Sequence, residues 1–174
     1  MVYSSRSVAM PFTPFHWGPG LLLGLLLLSY LDLPTFLVAS VIIDIEPLLV
    51  LTLNLPYPPH GYLHTFLGGT IVAFLLALAM SRIRRTLSPS MSFFRLERRT
   101  SFKSIVLASL FGIYLHIILD SPLYLDIRPF YPVESNPLQA HGMFIGFNVY
   151  AFCVICFIGA AIAYAAKLAS MTRT

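Results

Sequence analysis

Five long apolar segments, separated by short polar stretches, constrain the fold of this chain more than any other feature of its sequence. They cover residues 15–31, 34–53, 60–83, 104–120 and 143–166. A helix needs about 20 apolar residues to cross the hydrocarbon core of a bilayer. The first segment, with 17 residues, is short for this requirement, so we expect it to be a short or re-entrant span. The sequence therefore predicts an all-α fold, a polytopic transmembrane helix bundle of about five spans.

The composition predicts the same class of protein. Of the 174 residues, 57% are hydrophobic and only 10% are charged, which is far more apolar than a soluble domain. The net charge of +4 does not indicate a nucleic-acid partner, because nearly all the basic residues fall in one linker and the C-terminal tail. We expect residues 1–174 to form a single transmembrane domain whose partner is the lipid bilayer. The sequence leaves the oligomeric state open.

The basic residues also predict the orientation in the cell membrane. Seven lie at residues 82–103, and Lys167 and Arg173 fall on the same side if five spans cross the bilayer. Arg6 and Arg128 fall on the other side. Because cytoplasmic loops carry an excess of Lys and Arg, we expect a basic cytoplasmic linker and a cytoplasmic C-terminus.

Two pairs of potential metal ligands are spaced four residues apart. His60 and His64 open the third apolar segment, and His116 and Asp120 close the fourth. On a helix, each pair projects from one face, one turn apart. If the two segments are antiparallel, the pairs meet at one end of the bundle, next to an outer loop at residues 121–142. The spacing therefore predicts a shared metal site toward the extracytoplasmic side.

A glycine lies one turn deeper than each pair. Gly68 follows His64 by four residues, and Gly112 precedes His116 by four. Because a glycine has no side chain, helices can approach closely there. We therefore expect both glycines to lie at helix contacts beneath the site.

The second apolar segment carries two acids near its middle, Asp44 and Glu46. A carboxylate in hydrocarbon costs about 2.5 kcal/mol or more, so two are expected there only with partners. Residues two apart point to nearly opposite sides of a regular helix. Pro47 should loosen that turn because it lacks an N–H, and both acids could then face one cavity. We predict a catalytic role, as general base, for Asp44 or Glu46.

The remaining polar residues give weaker signals. His16, beside Trp17 at the start of the first segment, is a further predicted metal ligand. In the outer loop, Arg128 and His141 could contact an anionic substrate, whereas Asp126 and Glu134 are expected to be solvated. Cys153 and Cys156 form a single C-x-x-C inside an apolar run, to which we assign no role.

Nitrogen and carboxylate ligands of this kind suit Zn²⁺, with Mn²⁺ or Fe²⁺ as alternatives. A tetrahedral site made by His60, His64, His116 and Asp120 would be closed and structural. Catalysis requires an open position for water. A catalytic site therefore needs one of these residues not to bind the ion, or more than four ligands, or two ions shared among all the candidates.

The order of HWGPG, IIDIEP, HGYLHTFLG, LHIILDSPLY and PFYP resembles the membrane-bound metal-dependent hydrolases, a family of small prokaryotic multi-pass membrane proteins. The resemblance spans residues 16–132. The positions that match its motifs are His16, Asp44, His60, His64, His116 and Asp120. The chain departs from the pattern at Glu46, which replaces an Asp, at Pro47, which replaces a His, and at Gly61, which replaces an Arg. The resemblance implies a hydrolase that uses a metal ion.

The sequence thus predicts a membrane-embedded metal-dependent hydrolase. We expect it to cleave an ester, phosphoester or amide of a lipid-like or amphiphilic substrate at the outer membrane face. The alternatives are a divalent-metal transporter and a non-catalytic metal-binding membrane protein. A transporter should carry polar residues through both halves of the membrane, whereas the inner halves of the last three segments are apolar.

Overall fold

The computed structural model describes residues 13–142 and 145–172, and this part of the chain is all-helical. Its α-helices are α1 Trp17–Leu26, α2 Leu33–Ala39, α3 Ile45–Thr52, α4 Phe66–Ile83, α5 Ser88–Phe93, α6 Phe102–Asp120 and α7 Ile145–Met171. Short 3-10 helices lie at Thr13–His16, Ile42–Asp44, Tyr62–His64 and Arg84–Leu87. Arg6, Arg173 and the predicted start of the fifth span at residue 143 lie outside the described residues.

Four helical segments are long and apolar enough to cross a membrane. They are Leu33–Thr52, Phe66–Phe93, Phe102–Asp120 and Ile145–Met171. The predicted class, an all-α transmembrane bundle, is therefore confirmed. The basic linker is not an extended loop, because its first half continues α4 as a 3-10 helix and α5.

The first apolar segment is short. Its helix α1 has ten residues and a length of about 15 Å. Nε2 of His16, just before α1, lies 3.1 Å from Oδ1 of Asp120 at the end of α6. The N–H of Asp32, after α1, donates to the carbonyl of Ser104 at the start of α6. Because its two ends lie at opposite ends of α6, this segment passes along the bundle and is not re-entrant.

The second apolar segment is interrupted in its middle. Asp32 caps α2 by accepting a hydrogen bond from the N–H of Thr35, and α2 ends at Ala39. A 3-10 turn that ends at Asp44 leads into α3. Pro47 lies in the first turn of α3, where its missing N–H would have no partner within the helix. The loosened turn predicted around the two acids is therefore present.

The third apolar segment differs from the prediction. In this segment, His60 lies before the first helical turn, His64 ends a 3-10 turn, and α4 begins only at Phe66. Thr65 causes the interruption, because its extended backbone and its hydroxyl, which accepts from the N–H of Gly68, make it the N-cap of α4. The prediction that His60 and His64 project from one helical face is wrong.

The predicted close approach at Gly68 is also wrong. A Cβ atom there would collide with the carbonyl of Tyr62, so Gly68 accommodates the preceding turn and not a neighbouring helix. The next residue, Gly69, makes the helix contact instead. A Cβ atom on Gly69 would lie 2.8 Å from Ile113 and 2.9 Å from Ile117 of α6.

The helices α4 and α6 pack antiparallel, as predicted. The beginning of α4 contacts the end of α6, where Ala73 packs in one buried cluster with Ile113 and Ile117. The end of α4 contacts the beginning of α6, where Met80 packs against Ile105. This arrangement brings the start of the third segment beside the end of the fourth.

Gly112 permits the closest packing of α6 against α2. A Cβ atom on Gly112 would lie 2.9 Å from the carbonyl oxygen of Phe36 and 2.5 Å from Cβ of Ala39. Neither neighbour can rotate away, since one is backbone and the other is fixed to it. The predicted helix contact at Gly112 is therefore present, and it places the residue after α2, Ser40, next to α6.

We expect Gly112→Ala to push α2 away from α6 and to lower the stability by about 1–3 kcal/mol, because overpacking displaces backbone. The measurement is the apparent melting temperature of the purified protein in detergent. Gly146→Ala is the matched control, since that glycine is also helical and a Cβ atom there meets nothing within 4 Å. Equal melting temperatures for both variants would contradict the assigned contact.

Candidate metal centre

Four side chains from three segments converge at one end of the bundle. Asp44 precedes α3, His64 precedes α4, and His116 and Asp120 lie in the last turns of α6. One potential ligand atom of each lies within 4.8 Å of the others. A tetrahedral Zn²⁺ about 2.1 Å from each ligand atom holds those atoms about 3.4 Å apart, so a small inward shift of the four groups would let them bind one ion. We call these four residues the metal cluster.

The distances within the metal cluster are short. Nε2 of His116 lies 3.3 Å from Oδ1 of Asp44 and 3.2 Å from Oδ2 of Asp120. Nε2 of His64 lies 3.9 Å from the same oxygen of Asp44. Both imidazoles are fully buried, whereas the side chain of Asp44 is 19% exposed. The metal cluster is therefore closed on the side of the helices and open beside Asp44.

Hydrogen bonds behind the two imidazoles determine which ring nitrogen is free. Nδ1 of His116 lies 2.8 Å from the carbonyl oxygen of Ser40, which can only accept, so Nδ1 carries the proton. Nδ1 of His64 lies 2.8 Å from Oε2 of Glu46 and donates to that carboxylate. The Nε2 atoms of both rings are buried and make no hydrogen bond. In the neutral rings, both Nε2 lone pairs are therefore available to a metal ion.

Glu46, one of the two carboxylates predicted as general base, lies behind His64 and is not part of the metal cluster. Its Oε1 accepts from the N–H of Leu63, at 3.2 Å, and from the hydroxyl of Tyr57, at 3.4 Å. Its other oxygen accepts from His64. These contacts make Glu46 a positioning residue that orients His64, which leaves Asp44 as the acid that faces the other ligands.

His16 adjoins the metal cluster without belonging to it. Its ring stacks on that of His116, with centroids 4.1 Å apart and planes 19° apart. Its Nε2 lies 3.1 Å from Asp120, and its Nδ1 is buried without a hydrogen bond. His16 is therefore close enough to orient Asp120 or to serve as a further ligand.

His60 pairs with Asp126 and not with the metal cluster. Its backbone N–H donates to Oδ2 of Asp126 at 3.0 Å, and its Nδ1 lies 3.1 Å from both carboxylate oxygens. The ring stands edge-on to that of His64, with centroids 4.8 Å apart. The expectation that Asp126 is solvated is wrong, because the outer loop folds back so that the carbonyl of Pro129 accepts from the N–H of Phe66.

Two groups in the outer loop, Asp126 and Tyr124, have shifted pKa values. Burial raises the pKa of Asp126, but the hydrogen bonds from His60 outweigh it and the net shift of the pKa is downward. Burial and the nearby Asp120 and Asp44 carboxylates raise the pKa of Tyr124. The ring of Tyr124 packs on His60, with centroids 4.1 Å apart. No sequence pattern indicates a role for Tyr124, since its position depends on the path of the loop.

The two residues predicted to contact a substrate lie at the surface. Arg128 is 51% exposed, and its Nη1 lies 3.4 Å from Oε1 of Glu134. His141 is exposed in the same loop. Neither belongs to the metal cluster. Cys153 and Cys156 are free thiols in α7 and also lie outside it.

The apolar helices and the metal cluster together define a helical integral membrane protein with a buried histidine–aspartate group that could hold a metal ion. The family model of the YdjM inner membrane protein matches residues 10–173. The chain therefore belongs to the YdjM inner membrane protein family. No curated protein and no solved structure matches it. Membership of this family supports a membrane location, and the resemblance to metal-dependent hydrolases stays a prediction.

We expect the purified protein to contain a divalent metal ion that His64→Ala and His116→Ala remove, because each variant deletes one oriented Nε2 atom. The measurement is the metal-to-protein ratio by plasma mass spectrometry. His141→Ala deletes an exposed imidazole outside the metal cluster and should retain the ion. Similar metal content in all three variants would contradict the assignment.

Glu46→Gln tests how His64 is oriented. The amide has almost the same volume but no charge, so it holds the Nδ1 proton of His64 less firmly. We expect the affinity for the metal to fall about 10- to 100-fold, as is typical when a partner behind a metal-binding imidazole is lost. Competition with a fluorescent chelator measures this affinity, and an unchanged value would show that Glu46 does not orient the ligand.

Proposed function

We propose that this protein is a membrane-embedded metal-dependent hydrolase whose site is the metal cluster. The observation that carries the proposal is the pairing of two oriented, buried Nε2 atoms with two carboxylates, one of which is partly exposed. Packing alone does not require such a group, because ionisable side chains inside a membrane are costly even when they pair with one another. A bound ion would satisfy them.

In this proposal, His64, His116 and Asp120 would hold the ion, and Asp44 lies beside them at the partly exposed edge of the metal cluster. The ion, most simply Zn²⁺ with Mn²⁺ or Fe²⁺ as alternatives, would supply Lewis acidity and lower the pKa of a water molecule. Asp44 would accept a proton from the attacking water while the oxygen of that water bonds to the carbon or phosphorus. It would return the proton to the leaving group as the ester, phosphoester or amide bond breaks.

The depth of the metal cluster supports a lipid-like or amphiphilic substrate. His116 lies four residues, or about 6 Å, before the end of α6. Exposed aromatic side chains surround this end of the bundle, with Tyr62 packed against Tyr57 and against Tyr131. Aromatic residues of this kind prefer the boundary between hydrocarbon and water. A substrate with one end in the membrane could therefore present its polar bond to Asp44.

The orientation forms part of the proposal. The basic linker lies at the opposite end of α4 and α6 from the metal cluster. By the positive-inside rule, the linker would be cytoplasmic and the site would face the extracytoplasmic side.

A divalent-metal transporter is the second candidate, and the core beneath the site does not favour it. Between the metal cluster and the linker, the buried side chains of α4 and α6 are apolar apart from the hydroxyl of Ser109, and they include Ala73, Ile113, Ala77, Met80 and Ile105. A transported ion would have to pass this layer with one hydroxyl as its polar ligand. A third candidate is a membrane protein whose metal ion only stabilises the fold. It would use the same residues and would lack catalytic activity.

The experiment is a turnover assay of the protein in nanodiscs with Zn²⁺ or Mn²⁺ on phospholipid, lipid-phosphate and acyl-amide panels. We expect hydrolysis of one class, and Asp44→Asn should lower kcat about 100-fold or more, as the loss of a general base does. Glu97→Gln removes a carboxylate at the linker end and should leave kcat unchanged.

Two outcomes would overturn the proposal. If metal-loaded protein cleaves no member of the panels, the metal ion only stabilises the fold. If His64→Ala abolishes metal flux into proteoliposomes, the protein is a transporter.

A further inference from the structure

A second polar site lies at the end of the bundle opposite the metal cluster. A cavity of about 290 Å³ opens there between the turn after α1, the first turns of α2 and α6, and the linker. Small-ligand pockets begin at about this volume. Four basic side chains and one acidic side chain line it, and these are Arg84, Arg98, Arg99, Lys103 and Asp32.

Arg84 is the buried member of this cavity. The residue is only 9% exposed, and its Nε donates a hydrogen bond of 2.6 Å to Oδ1 of Asp32. Its two terminal nitrogens make no hydrogen bond within the described part of the chain. Nη2 forms a loose ion pair with Glu97, at 3.8 Å from Oε1. Because a guanidinium carries five N–H donors, four of them remain available to a ligand.

Asp32 cannot neutralise the other basic residues of the cavity, because its own partners already occupy it. Its Oδ1 accepts from Arg84 and from the hydroxyl of Thr100, and its Oδ2 accepts from the N–H and hydroxyl of Thr35. Asp32 therefore offsets the charge of Arg84 alone.

The other three basic side chains have no acidic partner within the described part of the chain. Arg98 donates a hydrogen bond of 2.7 Å to the hydroxyl of Ser29. Within the described residues, no acidic side chain forms an ion pair with Arg98, Arg99 or Lys103. The cavity therefore combines a buried, partly unsatisfied guanidinium with three unpaired cations.

We propose that this cavity binds the phosphate group of an anionic ligand. A phosphate presents several oxygens to a planar guanidinium and matches its fork of donors, and it would satisfy the terminal nitrogens of Arg84. Two sources share this chemistry, the headgroup of an anionic phospholipid and free inorganic phosphate. The cavity lies where the apolar helices end, at the depth of lipid headgroups, and basic pockets between transmembrane helices are typical sites for them. The inference is independent of the hydrolase proposal.

The experiment measures binding to the delipidated full-length protein in a non-ionic detergent. Native mass spectrometry counts bound phosphatidylglycerol, with phosphatidylcholine as the lipid of no net charge. A thermal-shift titration with sodium phosphate, at constant ionic strength, tests the free anion. We expect phosphatidylglycerol to bind at least ten-fold more tightly than phosphatidylcholine.

Arg99→Gln/Lys103→Gln is the test variant, because it removes two cavity charges without breaking the pair between Arg84 and Asp32. Arg82→Gln/Arg85→Gln is the matched control, because it removes two exposed linker charges that do not line the cavity. We expect the affinity for phosphatidylglycerol to fall at least ten-fold in the test variant and less than two-fold in the control.

The results for the two ligands distinguish the sources. Binding of phosphatidylglycerol alone identifies the lipid headgroup, and binding of inorganic phosphate identifies the phosphate group as sufficient. Binding of neither, or an equal loss in both double variants, would overturn the proposal, since the attraction would then come from the whole basic linker.

Discussion

Two hydrogen bonds behind the buried imidazoles orient the side chains that form the metal cluster. A polar group in the apolar interior of a membrane protein must have a partner there, because water is not available. Ser40 and Glu46 provide partners for one nitrogen of His116 and of His64, respectively. The second nitrogen of each ring then faces the carboxylates of the metal cluster. The hydrogen bonds thus convert two ordinary histidines into oriented ligands.

The interruption of the second apolar segment makes both hydrogen bonds possible. The last carbonyl groups of a helix have no partner within it, and Ser40 follows the last residue of α2. In a continuous helix that carbonyl would bond to its own backbone. The close packing of α2 on Gly112 brings Ser40 within reach of α6. The same interruption places Asp44 and Glu46 so that one faces the metal cluster and the other lies behind His64.

The parts of the fold that could be predicted from the sequence are those with local causes. Hydropathy is a property of each segment alone, so the spans and the class of fold followed from it. The meeting of the third and fourth segments followed from antiparallel packing, because consecutive spans that cross a bilayer run in opposite directions. The prediction that His60 and His64 share one helical face was wrong because Thr65 is the N-cap of α4, so the helix begins after both residues. A Thr inside an apolar run gives only a weak signal for an N-cap.

The contacts around the site could not be predicted, since they depend on how distant segments meet. Asp126 belongs to a polar loop, and only the return of that loop over the start of α4 buries it against His60. The carbonyl of Ser40 carries no signal in the sequence, because every residue has one. Likewise, the basic linker indicates an orientation but does not show that three of its charges share a cavity with Arg84.

X-ray absorption spectroscopy of the metal-loaded protein reports the atoms around the ion, so it shows directly whether the metal cluster binds it. For Zn²⁺ at the metal cluster, we predict a shell of nitrogen and oxygen at about 2.0–2.2 Å with the outer scattering of two imidazoles. A sulfur shell at about 2.3 Å would place the ion at Cys153 and Cys156 instead. Either that shell or the absence of imidazole scattering would contradict the account.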